Sequence, residues 1–136
     1  MRPFLRGVTV VFGAGAFGGL LNTLCVWACG RYGVTDAIHV GIAPALTLPW
    51  LYQRLVWGGI WGLLFLLPVL PGRVFWRGVF FSIGPTLVQL LVIFPYHANK
   101  GMFGLELGTL TPLFVIVVNA VWGVAASVWL RIIEGR

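Results

Sequence analysis

Charged side chains are scarce in this sequence. Only 9% of its 136 residues are Asp, Glu, Lys or Arg, whereas a soluble globular domain has about 25%. With 60% hydrophobic residues, the chain has too little polar surface to be expected to fold in water. We therefore predict that a lipid bilayer is its solvent and its main partner.

The residue patterns of common catalytic and nucleic-acid-binding sites are also missing. The sequence contains no nucleophile elbow, no pair of catalytic acids, no Cys/His zinc spacing and no phosphate loop. Its basic residues are spread singly, so the net charge of +6 does not indicate nucleic-acid binding. Cys25 and Cys29 lie four residues apart on one predicted helix face, where disulfide geometry is unfavourable. We expect neither an enzyme, nor a cofactor, nor a nucleic-acid partner.

Long apolar segments are abundant instead. At about 1.5 Å per residue, each of four such segments is long enough to cross a bilayer core of about 30 Å. They cover residues 5–30, 49–70, 76–94 and 112–133. The connections 31–48 and 96–111 are too polar or too short to cross and are predicted to be interfacial or re-entrant. A fifth span over 37–53 is the alternative, but it would place two prolines inside a helix. The sequence thus predicts an all-α membrane protein: a four-transmembrane-helix bundle in one domain, residues 1–136.

Two pairs of short motifs suggest an internal repeat. Arg6-Gly7-Val8 matches Arg77-Gly78-Val79, and Val56-Trp57-Gly58 matches Val121-Trp122-Gly123. The halves 1–72 and 73–136 would then each contribute a pair of spans, an arrangement that builds a site or pathway between halves. Chance similarity between apolar segments rich in Gly and Trp is the alternative.

The distribution of Lys and Arg predicts the orientation in the membrane. One side of the predicted bundle carries Arg2, Arg6, Arg73, Arg77, Arg131 and Arg136. The other side carries only Arg31, Arg54 and Lys100. Because positively charged loops stay in the cytoplasm, we predict a multi-pass protein of the bacterial inner membrane with both termini cytoplasmic.

Most of the other titratable residues fall on the opposite side, in the two long connections. We expect Asp36, His39, His97 and Glu106 to form one polar cluster with Arg54, which lies inside the second span and would pair with one of the two acids. Such a cluster could hold a divalent metal, relay protons or sense pH, although its spacing matches no metal motif. The alternatives are solvated loop residues and an arginine that extends to the membrane interface.

Small and polar residues recur at helical spacing within the spans. They are Gly15, Gly19, Asn22, Gly58, Gly62, Gln89, Asn119 and Gly123. Glycines at this spacing bring membrane helices close together, and amide side chains hydrogen-bond between helices. The alternative is that the stripe lines a polar pathway.

The second half resembles a known group of proteins in Trp76-x-Gly78, in the stretch from Gln89-Leu90 to Phe94-Pro95, and in its aromatic fourth span. These features are similar to the YagU-type small inner-membrane proteins of bacteria. The resemblance implies a bacterial inner-membrane protein and carries no catalytic residues.

The sequence therefore leads to three hypotheses about function. The first is a small transporter or channel that works as a homo-oligomer, with its pathway between protomers or between the two halves. The second is an accessory or scaffold subunit of a larger membrane complex. The third is a metal- or haem-binding membrane protein that uses His39 and His97.

Overall fold

The computed structural model describes residues 2–134, so Arg136, counted in the orientation argument, lies outside the described residues. Within 2–134 the chain is helical and contains no strand, which confirms the prediction of an all-α protein. Five α-helices follow one another within this range. They are α1 (Arg2–Arg31), α2 (Val34–Ala37), α3 (Leu48–Gly62), α4 (Val74–Val88) and α5 (Thr111–Glu134).

Three helical segments among the described residues are long and apolar enough to cross a membrane. They are Arg2–Arg31, Val74–His97 and Thr111–Glu134. Many of their large apolar side chains, such as Phe80, Ile116 and Val117, are exposed on the outside of the bundle. This pattern is that of helices whose outer faces contact lipid.

The predicted second span is shorter as a regular helix than the sequence suggested. Helix α3 ends at Gly62 and continues only as a 3-10 turn, Leu63–Leu66, before the chain becomes extended at Leu67. Pro68, which follows directly, has no N–H with which to continue the helix. The expected end near residue 70 is therefore four residues too late.

The third predicted span, in contrast, continues beyond the end that the sequence predicts. It was expected to stop before Pro95, but wide π-helical turns carry it from Gln89 to His97. The N–H of Ala98 then donates to the carbonyl of Ile93 at 2.7 Å, five residues earlier. The wide turns keep this end of the span helical even though Pro95 contributes no backbone donor.

The helices pack through glycine. A Cβ built on Gly15 would lie 2.7 Å from the Cα of Gly62, and one built on Gly58 would lie 3.1 Å from the Cα of Gly19. These residues form the crossing of α1 with α3. Helices α4 and α5 cross in the same way, because a Cβ on Gly78 would lie 2.6 Å from the carbonyl carbon of Gly123. Only glycine permits backbones to approach so closely.

Each half of the chain thus contains one Gly–Gly crossing, but the register does not follow the matched motifs. Gly7 is the counterpart of Gly78 in those motifs. A Cβ on Gly7 would meet only the side chain of Leu66, whereas Gly78 contacts Gly123. The internal repeat therefore stays a prediction.

Large side chains fill the bundle next to these crossings. The apolar core there consists of Val11, Ala14, Phe65, Phe81, Trp122, Ala126 and Leu130. The indole N–H of Trp122 donates to the carbonyl of Gly15 at 3.0 Å and so connects α5 to α1.

The two long connections meet at the end of the bundle where α1 ends and α5 begins. We call this the long-connection end. The N–H of Gly41 donates to the carbonyl of Leu107 at 2.8 Å. Gly108, with φ of 150°, lies against the backbone of His39 and Val40, where a Cβ would have no room. Short helical pieces, α2 and the 3-10 segment Met102–Leu107, shape the two connections.

Candidate functional site

A single arginine lies among the helices near the long-connection end. Arg54 is in the second turn of α3, and its Nε donates to the hydroxyl of Thr23 at 3.0 Å. One terminal nitrogen, Nη2, donates to the side-chain oxygen of Asn22. The guanidinium carbon also lies 5.2 Å from the centre of the Trp50 ring, one helical turn earlier. Helix α3 thus directs Arg54 inward against α1, where neutral groups hold it.

A chain of amides extends from this arginine across the bundle. The Nδ2 of Asn22 donates to the carbonyl of Val118 at 2.6 Å and to the Oδ1 of Asn119 at 3.3 Å. The Nδ2 of Asn119 donates in turn to Thr86 Oγ1 at 3.1 Å and to Gln89 Oε1 at 3.2 Å. The network links α1 and α3 with α5 and with the end of α4.

The hydrogen bonds of this network all run in one direction. Arg54 donates to Asn22, Asn22 donates to Asn119, and Asn119 donates to Gln89. Each hydrogen bond polarises the next, so the positive charge of Arg54 strengthens the bonds along this series of amides. Because Gln89 accepts through its oxygen, the donor side of the network ends at the Gln89 amide NH₂.

A cavity of about 390 Å³ lies beside this network. Arg54 and Gln89 are the charged and amide side chains in its lining, and the segment Gly41–Pro44 lines it as well. Its remaining lining is aromatic and aliphatic: Val26, Trp50, Phe94, Phe114, Val115 and Val118. A mostly apolar cavity of this size with a few converging polar groups is typical of small-molecule sites.

The polar cluster expected in the two connections does not assemble around Arg54. The hydrogen bonds of Arg54 go to Asn22 and Thr23, and not to Asp36 or Glu106, both of which are exposed. His39 and His97 are exposed as well. The connections do meet, but through backbone atoms at Gly41 and Leu107. Arg54 instead points into the bundle, where it donates to Asn22 and Thr23 on the neighbouring helix α1.

Metal-binding side chains are not grouped in the described part of the chain. Within residues 2–134 no set of three or more His, Cys, Asp and Glu could hold an ion.

Asn22, Gln89 and Asn119 belong to one network, and Gly15, Gly19, Gly58 and Gly62 lie at one helix crossing. Thr23 and Thr86 also belong to this network and are not predicted from the sequence. Their only signals are the positions of Thr23, next to Asn22, and of Thr86, one turn before Gln89.

A second arginine has a structural position that the sequence argument missed. Arg77 was counted as a charge that sets orientation, but only 4% of it is exposed. Its Nη2 donates to the carbonyls of Phe65 at 2.7 Å and of Leu67 at 3.1 Å. Its guanidinium also lies over the rings of Phe65 and Phe81. Arg77 thus binds the carbonyls at the end of the 3-10 turn after α3.

A second concavity differs from the first because it has no charged lining. This apolar groove, of about 600 Å³, runs along α5 next to α1. Residues Phe17, Leu21, Val117, Val121, Val124 and Trp129 are among those that line it. Its shape and chemistry suit another apolar helix or lipid chains.

Comparison with known proteins adds no relative to this description. No family model, no curated protein and no solved structure matches the chain. The resemblance to YagU-type proteins stays a prediction.

Proposed function

We propose that this chain crosses the bacterial inner membrane four times, with both termini in the cytoplasm. The fourth crossing is made by α3 and its 3-10 turn. Fifteen α-helical residues at about 1.5 Å each and four 3-10 residues at about 2.0 Å each extend about 30 Å, the thickness of a bilayer core. Its glycine contact with α1, a long apolar helix, supports a position inside the same layer.

We further propose that the protein is a small transporter whose solute binds in the cavity beside Arg54. The observation that carries this proposal is an arginine within the bundle that has neutral partners and borders a cavity. An ionisable side chain within a membrane bundle is costly, so it is kept where it serves an ion or solute. Asn119 lies about 12 Å, eight helical residues, inside the start of α5, and this depth supports a position of the network below the membrane surface.

The packing on the other side of the network is consistent with a transporter closed at one end. Below Arg54 and Asn22 the helices cross through glycine, and the core around Trp122 and Phe65 fills the remaining space. A solute would therefore meet a barrier below its site. A site accessible from one side at a time distinguishes a transporter from a continuously open channel.

A homo-oligomer is part of this proposal, and the apolar groove along α5 is the surface that supports it. The groove is lined by Val117, Val121 and Trp129 and takes an apolar helix of a second copy. The same groove favours the second candidate function, an accessory subunit that packs against the helix of a different membrane protein. Native mass spectrometry from detergent separates the two, since it reports copies of this chain and foreign subunits by mass.

Solute uptake into proteoliposomes tests the transport proposal. Purified protein is reconstituted, and uptake is measured for a permanently charged organic anion, a permanently charged organic cation and a sugar. We expect uptake of one class above that of protein-free liposomes, reduced at least about tenfold by Arg54→Gln. Arg31→Gln, a change of an exposed arginine at the same end, should leave uptake unchanged. Uptake equal to that of protein-free liposomes for every class would contradict the proposal.

A further inference from the structure

Arg54 has no counter-charge from its own chain in the described structure. The whole sequence has three acidic residues. Asp36 and Glu106 are exposed in the connections, and Glu134 is the last residue of α5, fifteen helical residues or about 22 Å along that helix from Asn119. The partners of Arg54 are an amide, a hydroxyl and an aromatic ring. A cation without an acid in a medium of low dielectric constant attracts an anion strongly.

The donors of the site converge on the cavity. The bonds to Thr23 and Asn22 use two of the five N–H groups of the guanidinium, and Arg54 borders the cavity. Gln89 faces the same cavity, and its oxygen is engaged by Asn119, so its NH₂ group is the end that remains for a ligand. Two donor groups from different helices are thus available to one acceptor-rich, negatively charged head group.

The rest of the cavity lining indicates that the remainder of the ligand is apolar. Phe94, Phe114, Val115 and Val118 form an apolar wall that offers no further charge. A small inorganic anion would leave this wall without a contact, and a polyanion would bring more charge than one guanidinium can balance. A volume of about 390 Å³ suits a compact organic molecule or the head and first carbons of a lipid.

We propose that this cavity binds an amphiphilic monoanion, with its carboxylate, sulfonate or phosphate group on Arg54 and Gln89 and its apolar part against Phe94, Phe114 and Val118. This inference rests on the proposed function in that it assigns a ligand class to the same cavity. Its chemistry is shared by two sources, a free amphiphile and an anionic phospholipid of the surrounding membrane.

Native mass spectrometry of the full-length protein, released from a neutral detergent, tests the assignment. The probes are octanesulfonate, octyltrimethylammonium and octanol, which share a chain and differ in the charge of the head. We expect one octanesulfonate bound per chain and at least about tenfold weaker binding of the other two, because a charge-assisted hydrogen bond is lost in each. Equal binding of the three probes would overturn the assignment, and this result needs no variant.

Variants locate the site. Arg54→Gln should weaken octanesulfonate binding at least about tenfold, and Arg54→Lys should keep the preference for the anion because the charge remains. Arg31→Gln is the matched control, since Arg31 is an exposed arginine whose guanidinium lies over the Tyr32 ring at the same end. Undiminished octanesulfonate binding by a folded Arg54→Gln protein would overturn the assignment.

Added phospholipids distinguish the two sources. If phosphatidylglycerol displaces octanesulfonate one for one and phosphatidylcholine does not, the ligand is an anionic lipid. If neither displaces it, the ligand is a free amphiphile, and the assigned class holds in both cases. Binding of octanesulfonate without any solute uptake would remove the transport proposal and leave this inference standing. Uptake that depends on Arg54, together with equal binding of the three probes, would remove this inference and leave the transport proposal standing.

Discussion

A single methyl group at the crossing of α1 and α3 should weaken the fold, while the same group two residues earlier should not. In Gly15→Ala the new Cβ would lie 2.7 Å from Gly62 Cα and 3.0 Å from Gly62 N, both backbone atoms. Ordinary carbon contacts are about 3.5–4.0 Å long, so the helices must separate by roughly 1 Å. In Gly13→Ala the new Cβ has nothing within 4 Å.

The two variants share the gain in helix propensity, about 1 kcal/mol for Gly to Ala, so it cancels in their difference. What remains is the cost of overpacking, about 1–3 kcal/mol. Separation of the helices would also lengthen the 3.0 Å bond from Trp122 to Gly15 O. We expect the free energy of unfolding of Gly15→Ala to lie about 1–3 kcal/mol below that of Gly13→Ala. Titration with a denaturing detergent, followed by circular dichroism, measures it. Equal free energies for the two variants would refute the close contact.

Three further predictions concern the arginine that binds the end of α3, the amide network and the topology. Arg77→Met should lower the free energy of unfolding by at least about 1.5–3 kcal/mol, because the carbonyls of Phe65 and Leu67 lose a charged donor. Arg73→Met, at an exposed position in the preceding turn, should change it little, and equal effects of the two would contradict the assigned contacts. Asn119→Leu should lower the free energy of unfolding by about 0.6–2 kcal/mol because Asn119 loses its bonds to Asn22 and to Gln89, and an unchanged unfolding curve would speak against the network. For topology, single cysteines at Tyr32 and Arg73 in a Cys25→Ala, Cys29→Ala background should react with an impermeant thiol reagent from opposite sides of the membrane; reaction from the same side would show that α3 does not cross.

Hydropathy located the helices well and their ends less well. Long apolar runs require a membrane helix because every backbone group must be bonded within the lipid. This argument fixes α1 and α5 to within a few residues, since nothing interrupts them. It fails at the ends of the other two spans, where proline effects depend on the packing around the chain. Pro68 follows a helix that has already ended, while Pro95 lies inside a helical segment that widens around it.

Among the site residues, the sequence identifies Arg54 but does not identify which residues are its hydrogen-bond partners. Arg54 stands out in the sequence because a charge in an apolar run requires an explanation. Its pairing with Asn22 and Thr23 does not stand out, because these residues lie 32 and 31 positions away and a neutral amide or hydroxyl resembles any other packing residue. A rule that pairs charges with opposite charges selected Asp36 and Glu106 instead. In this fold, uncharged groups on a neighbouring helix bind the guanidinium in place of a carboxylate.

Arg77 illustrates a different limit. The positive-inside rule counts basic residues near the ends of spans and treats them as solvated. Arg77 satisfies the count by its position, yet its guanidinium lies within the fold against Phe65 and Phe81. The need for it arises from the carbonyls that the early end of α3 leaves at Phe65 and Leu67. That need is set by the three-dimensional fold, and no pattern along the chain reports it.

The glycine crossing and the cavity are two consequences of one packing geometry. Helices that touch closely at one point diverge on both sides of it, because straight cylinders cross at an angle. On one side of the contact between Gly15 and Gly58, the rings of Phe65 and Trp122 fill the widening gap. On the other side the gap holds the polar chain from Arg54 to Gln89 and the cavity beside it. A change that moves α3 away from α1 at Gly15 therefore also moves Arg54 relative to Asn22. For this reason Gly15→Ala should weaken binding of an anionic amphiphile as well as the fold, and Gly13→Ala should weaken neither.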